Sequence, residues 1–200
     1  MKTHTKIFQE NLTPETAFEV LKEGNLRFIK NLKTQRNHLD LVAETSEGQY
    51  PFAVILSCID SRVPAELVFD QGIGNIFSVR VAGNIVNEDI LGSIEYGCAV
   101  AGSKILTVLG HTKCGAVTAA CDNVELGNIT ALLNKIKPAI TTVNAEKGKV
   151  EVEDVAIKNV LQSMKEIRAK SEILTDLEKE GKIKIVGAIY NVENGAVTFL

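Results

Sequence analysis

Residues 52–64, FAVILSCIDSRVP, open as five apolar residues and close in a short polar turn. A continuous apolar run of that length is the pattern of a strand buried on both faces, as in a parallel sheet covered by helices. The pattern recurs at residues 104–115, KILTVLGHTKCG, where an apolar run again ends in polar residues and a glycine. Asn75–Val81 and Ile183–Ile189 read as two further strands. Helical stretches lie between them at Pro64–Phe69, Ile90–Ala101 and Gly115–Cys121, with charged helices over 128–145 and 151–181, the second broken near Ala169–Ser171. This alternation predicts an α/β fold, one domain with a central, mostly parallel sheet flanked by helices. Glu193-Asn194-Gly195 predicts a turn into a C-terminal hairpin strand over Ala196–Leu200, because Asn-Gly favours the left-handed turn geometry of hairpins. Thr13 followed by Pro14 signals a helix start, so 13–33 reads as one helix, or two around Gly24, and 34–50 as irregular. The expected organisation is a single domain over 1–200, with an N-terminal helical appendage at 1–50 and the α/β core at 51–200.

Composition narrows the function. The 200 residues carry 22 Lys+Arg against 25 Asp+Glu, and aromatic residues are 5% with no Trp. Neither a basic face for phosphates nor a stacking platform for bases is available, so nucleic acid is excluded as a partner. Apolar runs are strand-sized, far short of the ~20 residues that span a bilayer. The N-terminus has no apolar segment of signal type. No membrane partner and a cytoplasmic location are expected, with Cys58, Cys98, Cys114 and Cys121 as reduced thiols.

Both turns follow a predicted strand, and ligands of open α/β sheets bind outside the carboxyl ends of strands. His111 and Cys114, three apart at the entry to a helix, can face one point in space. His-x-x-Cys alone is weak evidence for a metal pair. Cys58 adds a third donor from the other strand end, and Cys₂His with an open fourth position is the pattern of a catalytic zinc site. Cys121 lies seven residues beyond Cys114 on one helix, about 10 Å along the axis, too far to share one zinc. Cys98 and Cys121 read as packing thiols, and His4 and His38 as solvated. Cys58, Asp60 and Arg62 alternate, so an extended segment projects all three to one side. Asp60 and Arg62 form either a structural ion pair, a cap for the next helix, or a carboxylate kept ionised and aimed by a guanidinium.

At these residues the chain resembles the beta-class carbonic anhydrases, whose pattern is Cys-x-Asp-x-Arg followed by His-x-x-Cys. Here these are Cys58-Ile59-Asp60-Ser61-Arg62 and His111-Thr112-Lys113-Cys114, and the resemblance continues through VPAELVFDQGIGNIFSVRVAGN, SIEYG and GHTKCGAV. The resemblance implies one zinc per chain on Cys58, His111 and Cys114, Asp60 and Arg62 as catalytic dyad, and attack of zinc-bound hydroxide on carbon dioxide to give bicarbonate. It also implies a homodimer or dimer of dimers. Gln49 matches a substrate-binding position, and Phe77, Ala82 and Tyr96 match the lining of a narrow apolar pocket, partly from the partner chain. The Gly115 N–H, at a helix start, is suited to an anionic product. Ile55 stands where some members carry a Trp that walls an inhibitory bicarbonate site. The competing expectations are a zinc hydrolase of the same build acting on carbonyl sulfide or carbon disulfide, a non-catalytic zinc protein, and a thiol redox sensor, the last disfavoured because no Cys-x-x-Cys is present.

Overall fold

The computed structural model of the chain describes residues 4–200. Three helices come first: α1 (Lys6–Asn11), α2 (Pro14–Ile29) and α3 (His38–Thr45). There follow β1 (Ala53–Ser57), α4 (Ala65–Val68), β2 (Ile76–Arg80), α5 (Glu88–Glu95), β3 (Ile105–His111) and α6 (Gly115–Cys121). The chain ends with α7 (Gly127–Leu133), α8 (Lys137–Lys147), α9 (Val152–Lys170), α10 (Glu172–Lys179), β4 (Lys184–Tyr190) and β5 (Val197–Phe199). The sheet order is β2-β1-β3-β4-β5, parallel throughout except for the antiparallel β4–β5 hairpin.

Every residue of β1 and β3 is buried, as continuous apolar runs require. On one face, Ile55, Ile105 and Leu109 pack with Ala17 and Leu21 of α2 and Val68 of α4. On the other, Val54, Leu56, Leu106 and Val108 meet Ile94 of α5, Val160 and Ile167 of α9 and Leu174 of α10. Because β2 lies on one side of β1 and β3 on the other, the chain leaves neighbouring strands in opposite directions. The carboxyl ends of β1 and β3 therefore flank a switch-point crevice.

Helix α2 starts in a reciprocal cap between Thr13 and Thr16 and runs unbroken through Gly24. Gly24 serves close packing: a Cβ there would fall 1.9 Å from the Phe69 carbonyl oxygen. Asn25 ties the same helix to the hairpin, donating to Val68 O and Gly195 O and accepting from Val197 N–H. The N-terminal arm thus also supplies one of the layers that cover the sheet.

Four local expectations are corrected. Residues 38–45, read as irregular, form α3, capped by the Asn37 side chain on Leu39 N–H; only Leu41 of this helix is buried, so no apolar stripe marks it. The 128–145 helix divides into α7 and α8, with Pro138 in the first turn of the second. The 90–101 helix passes from α5 into a wider π-type turn at Tyr96–Val100. His4 is not solvated. Its ring packs tilted against Phe8 and Phe52, centroids 4.1 and 5.3 Å away, and burial, with Arg36 nearby, lowers its pKa to about 4. The expected break near 171 is present, with Ser171 capping α10.

Candidate metal centre

Cys58 is the first residue past β1, His111 the last of β3, and Cys114 the residue before α6. The register pairs Ser57 with Leu109, which sets the two strand ends side by side. Lys113 adopts a left-handed backbone, φ +53°, and folds the chain back so that Cys114 returns to His111. One Cys58 Sγ, one His111 nitrogen and the Cys114 Sγ lie within 4.8 Å of one another. All three residues are buried. Cys98 and Cys121 stand outside the group; Cys98 is packed beneath the sheet, where burial pushes its thiol up to about 12.

The donors fit zinc. His111 Nδ1 lies 2.9 Å from Thr112 O, so that nitrogen carries the hydrogen and Nε2 presents its lone pair. His111 Nε2 is buried with no hydrogen-bond partner among the described residues. Such an orphan costs about 1–3 kcal/mol unless something coordinates it. Two sulfurs and an imidazole, with no carboxylate among them, form a borderline-soft set that suits zinc. The Cys114 thiol hydrogen-bonds Cys58 and favours thiolate there, and the same contact raises Cys114. Burial opposes charge on His111, but contact with Cys58 outweighs it and raises the ring's pKa.

Beside this group stands Asp60, its Oδ2 3.9 Å from His111 Nε2. The alternation expected over 58–62 ends at Asp60, and a turn over Ser61–Arg62 brings the arginine back. Arg62 donates to Asp60 through its backbone N–H and Nε, both 2.9 Å to Oδ1, and through Nη2, 2.7 Å to Oδ2. These bonds hold the carboxyl at about 2. Asp60 does not cap α4, whose N-cap Pro64 has no side-chain bond. Arg62 Nη2 also reaches Lys113 O at 3.2 Å, linking the two motifs.

Residues that the motifs did not point to hold the loops. Arg80 donates to Cys58 O and Asp60 O, Glu153 accepts from Lys113 N–H, and Gly83 N–H donates to Cys58 Sγ at 3.4 Å. Arg80 and Gly83 lie within the matching stretch after β1, which was a signal; Glu153, on a charged helix, had none.

The remaining expected site residues are not all gathered here. Gln49 is exposed on the segment before β1. Phe77 and Tyr96 meet edge to face, 6.2 Å apart, in an open groove of about 820 Å³ between β2 and α5 that neither the metal donors nor the dyad line. Ala82 is half-buried beside Gly83, and Gly115 is exposed at the start of α6. Ile55 is fully buried within β1.

Residues 53–197 match the family described as carbonic anhydrase. Carbonic anhydrase 2 of Mycobacterium tuberculosis is 34% identical over 191 residues, covering 92% of each chain. A carbonic anhydrase of Mycolicibacterium smegmatis is 32% identical, covering 94% of this chain and 93% of the other. The crystal structure of the beta-carbonic anhydrase CafA of Aspergillus fumigatus superposes with a TM-score of 0.73 at 27% identity, covering 93% of this chain and 89% of that one. With a buried Cys₂His set at the β1–β3 switch point and these relatives spanning nearly its whole length, the chain belongs to the beta-class carbonic anhydrases.

Proposed function

We propose that Cys58, His111 and Cys114 hold the zinc ion of this carbonic anhydrase, and that Asp60, aimed by Arg62, is the catalytic carboxylate in its reversible hydration of carbon dioxide to bicarbonate. One observation carries the assignment: three zinc-type donors within 4.8 Å, beside a carboxylate clamped by a guanidinium. Zinc, when bound, lowers the pKa of water into the neutral range and so supplies the nucleophile. The chain's own residues do the rest. A carboxyl held at about 2 does not retain a proton at neutral pH. Asp60 therefore works as a fixed hydrogen-bond acceptor that orients the attacking water. Arg62 keeps that acceptor ionised and anchors it to Lys113 O. Ile85, Val117 and Ile136 pack around the two ligand cysteines and keep water from the sulfurs.

Gln49, Phe77, Ala82, Tyr96 and Gly115 shape the substrate side of this reading. It includes a homodimer or dimer of dimers in which Phe77 and Tyr96 of one chain line the site of the other. In support, the two rings sit apart from their own chain's donors, and Tyr96 and Val100 are 56% and 71% exposed. The whole chain acts as one domain, in the cytoplasm, where its thiols stay reduced. Among the described residues, no helix is long and apolar enough to cross a membrane. Stopped-flow hydration of carbon dioxide, followed with a pH indicator, is the test. Zinc-loaded protein with no activity between about pH 7 and 9 would reject the reading.

A further inference from the structure

Neither motif accounts for the Gly83 N–H that points at Cys58 Sγ. Gly83 begins a left-handed pair, φ +66° followed by +42° at Asn84. Asn tolerates that region better than other side chains, but at position 83 a Cβ would also fall 2.8 Å from Ile136 Cδ1, so glycine is required there. On one side the turn is tied to β1 by Val81 N–H donating to Ser57 O at 3.0 Å, and it is closed on itself by Asn84 N–H donating to Val81 O, also at 3.0 Å. From the other side, two polar side chains of α9 hold it. Asn159, 2% exposed, donates through Nδ2 to Gly83 O at 2.8 Å, and Ser163, 3% exposed, through Oγ to Asn84 O at 3.1 Å. Their helix neighbours Val155, Val160 and Ile167 are apolar core residues. An amide and a hydroxyl in that row are costly to bury without a bonded partner, and both have their partners in this one turn.

We propose that Asn159 is a positioning residue of the metal centre. By fixing the Gly83 carbonyl it keeps the Gly83 N–H on Cys58 Sγ, and so sets how much charge that sulfur donates to the metal. The inference rests on Cys58 being a ligand. A hydrogen bond to a thiolate lowers the energy of its lone pairs and restrains its rotation about the Cα–Cβ bond. Removing such outer contacts typically costs ten- to a hundredfold in metal affinity or activity.

The test is the cobalt-substituted protein, whose thiolate-to-metal charge-transfer band in the near ultraviolet reports the energy of the sulfur lone pairs. Asn159→Ala should move the band to longer wavelength and lower carbon dioxide hydration about ten- to a hundredfold. Ser163→Ala should move the band the same way by less. Val160→Ala, the next residue of α9, should lower the melting temperature and leave the band in place. A band unmoved in both polar variants, or moved as far by Val160→Ala, overturns the proposal. Should Asn159→Ala not fold, the Ser163→Ala band decides. Wild-type cobalt protein without any thiolate band would instead overturn the assignment of Cys58 and Cys114 as ligands, a separate failure.

Discussion

The imidazole of His111 has its direction set by its own chain. Thr112 O takes the Nδ1 hydrogen, so the Nε2 lone pair faces the two sulfurs. With Cys58 and Cys114 it forms a group in which every donor is already oriented by backbone contacts, which is what metal selectivity requires. Cys58→Ser and Cys114→Ser should lose most of the zinc measured by elemental analysis, whereas Cys98→Ala and Cys121→Ala should keep one per chain. Asp60 and Arg62 separate chemistry from binding. Asp60→Asn replaces one acceptor oxygen by an amide NH₂ and cannot keep all three Arg62 bonds. It should retain zinc while turnover falls about a hundredfold or more. Full turnover in zinc-replete Asp60→Asn would reduce the dyad to a structural pair.

Between elements, the contacts of greatest consequence join the N-terminal helices to the sheet. After α4 the chain turns at Asp70 in a left-handed conformation, φ +46°. The Asp70 carboxylate is bonded there by Arg27 Nε and Arg36 Nη1, both at 2.6 Å, and by Thr34 Oγ1 at 3.0 Å. Arg36 Nη2 also takes the Asp70 carbonyl. Burial opposes the charge on Asp70, but the two guanidinium groups prevail and hold its carboxyl at about 2. Removing one member of a buried ion cluster leaves the others uncompensated. Asp70→Asn should therefore lower unfolding stability by about 3 to 5 kcal/mol in urea titrations. A depressed carboxyl pKa contributes stability that is complete above its unfolded value near 4 and is lost as pH falls toward 2. The stability of the wild type should accordingly fall more steeply through that interval than that of Asp70→Asn.

On the scale of the whole molecule, the dimer proposed above gives the groove between β2 and α5 a purpose. Sedimentation equilibrium should return two or four times the chain mass. Val100→Asp, at an exposed apolar position beyond Tyr96, should shift the protein toward monomer and lower activity with zinc content unchanged. Activity should rise with pH along a one-proton curve with a midpoint of about 7 to 8. Asp60 is engaged by Arg62, and Ile55 is buried in β1 with no side-chain donor for an anion. Bicarbonate should consequently act as product alone. A steep profile that bicarbonate moves to higher pH would show an inhibitory site built without the Trp.

The amino-acid sequence by itself determined the parallel sheet, the two strand ends that carry the donors, the Thr13–Pro14 helix start, the C-terminal hairpin (in which Gly195 but not Asn194 is left-handed, φ +78°, within a loop between Tyr190 and Val197) and the break before α10. Each is a local matter: an apolar run buries itself, a cap or turn residue acts on its own neighbours, and His-x-x-Cys closes within one turn. Tertiary structure alone decided the rest. α3 buries only Leu41, so no periodicity announces it. His4 became a packing residue because Phe8 and Phe52 close over it. Asn159 met Gly83 across 76 residues of chain. Hydrophobic periodicity reports that a face is buried. It carries no information on which distant carbonyl a buried amide will find, and that pairing emerges only when helix and sheet pack.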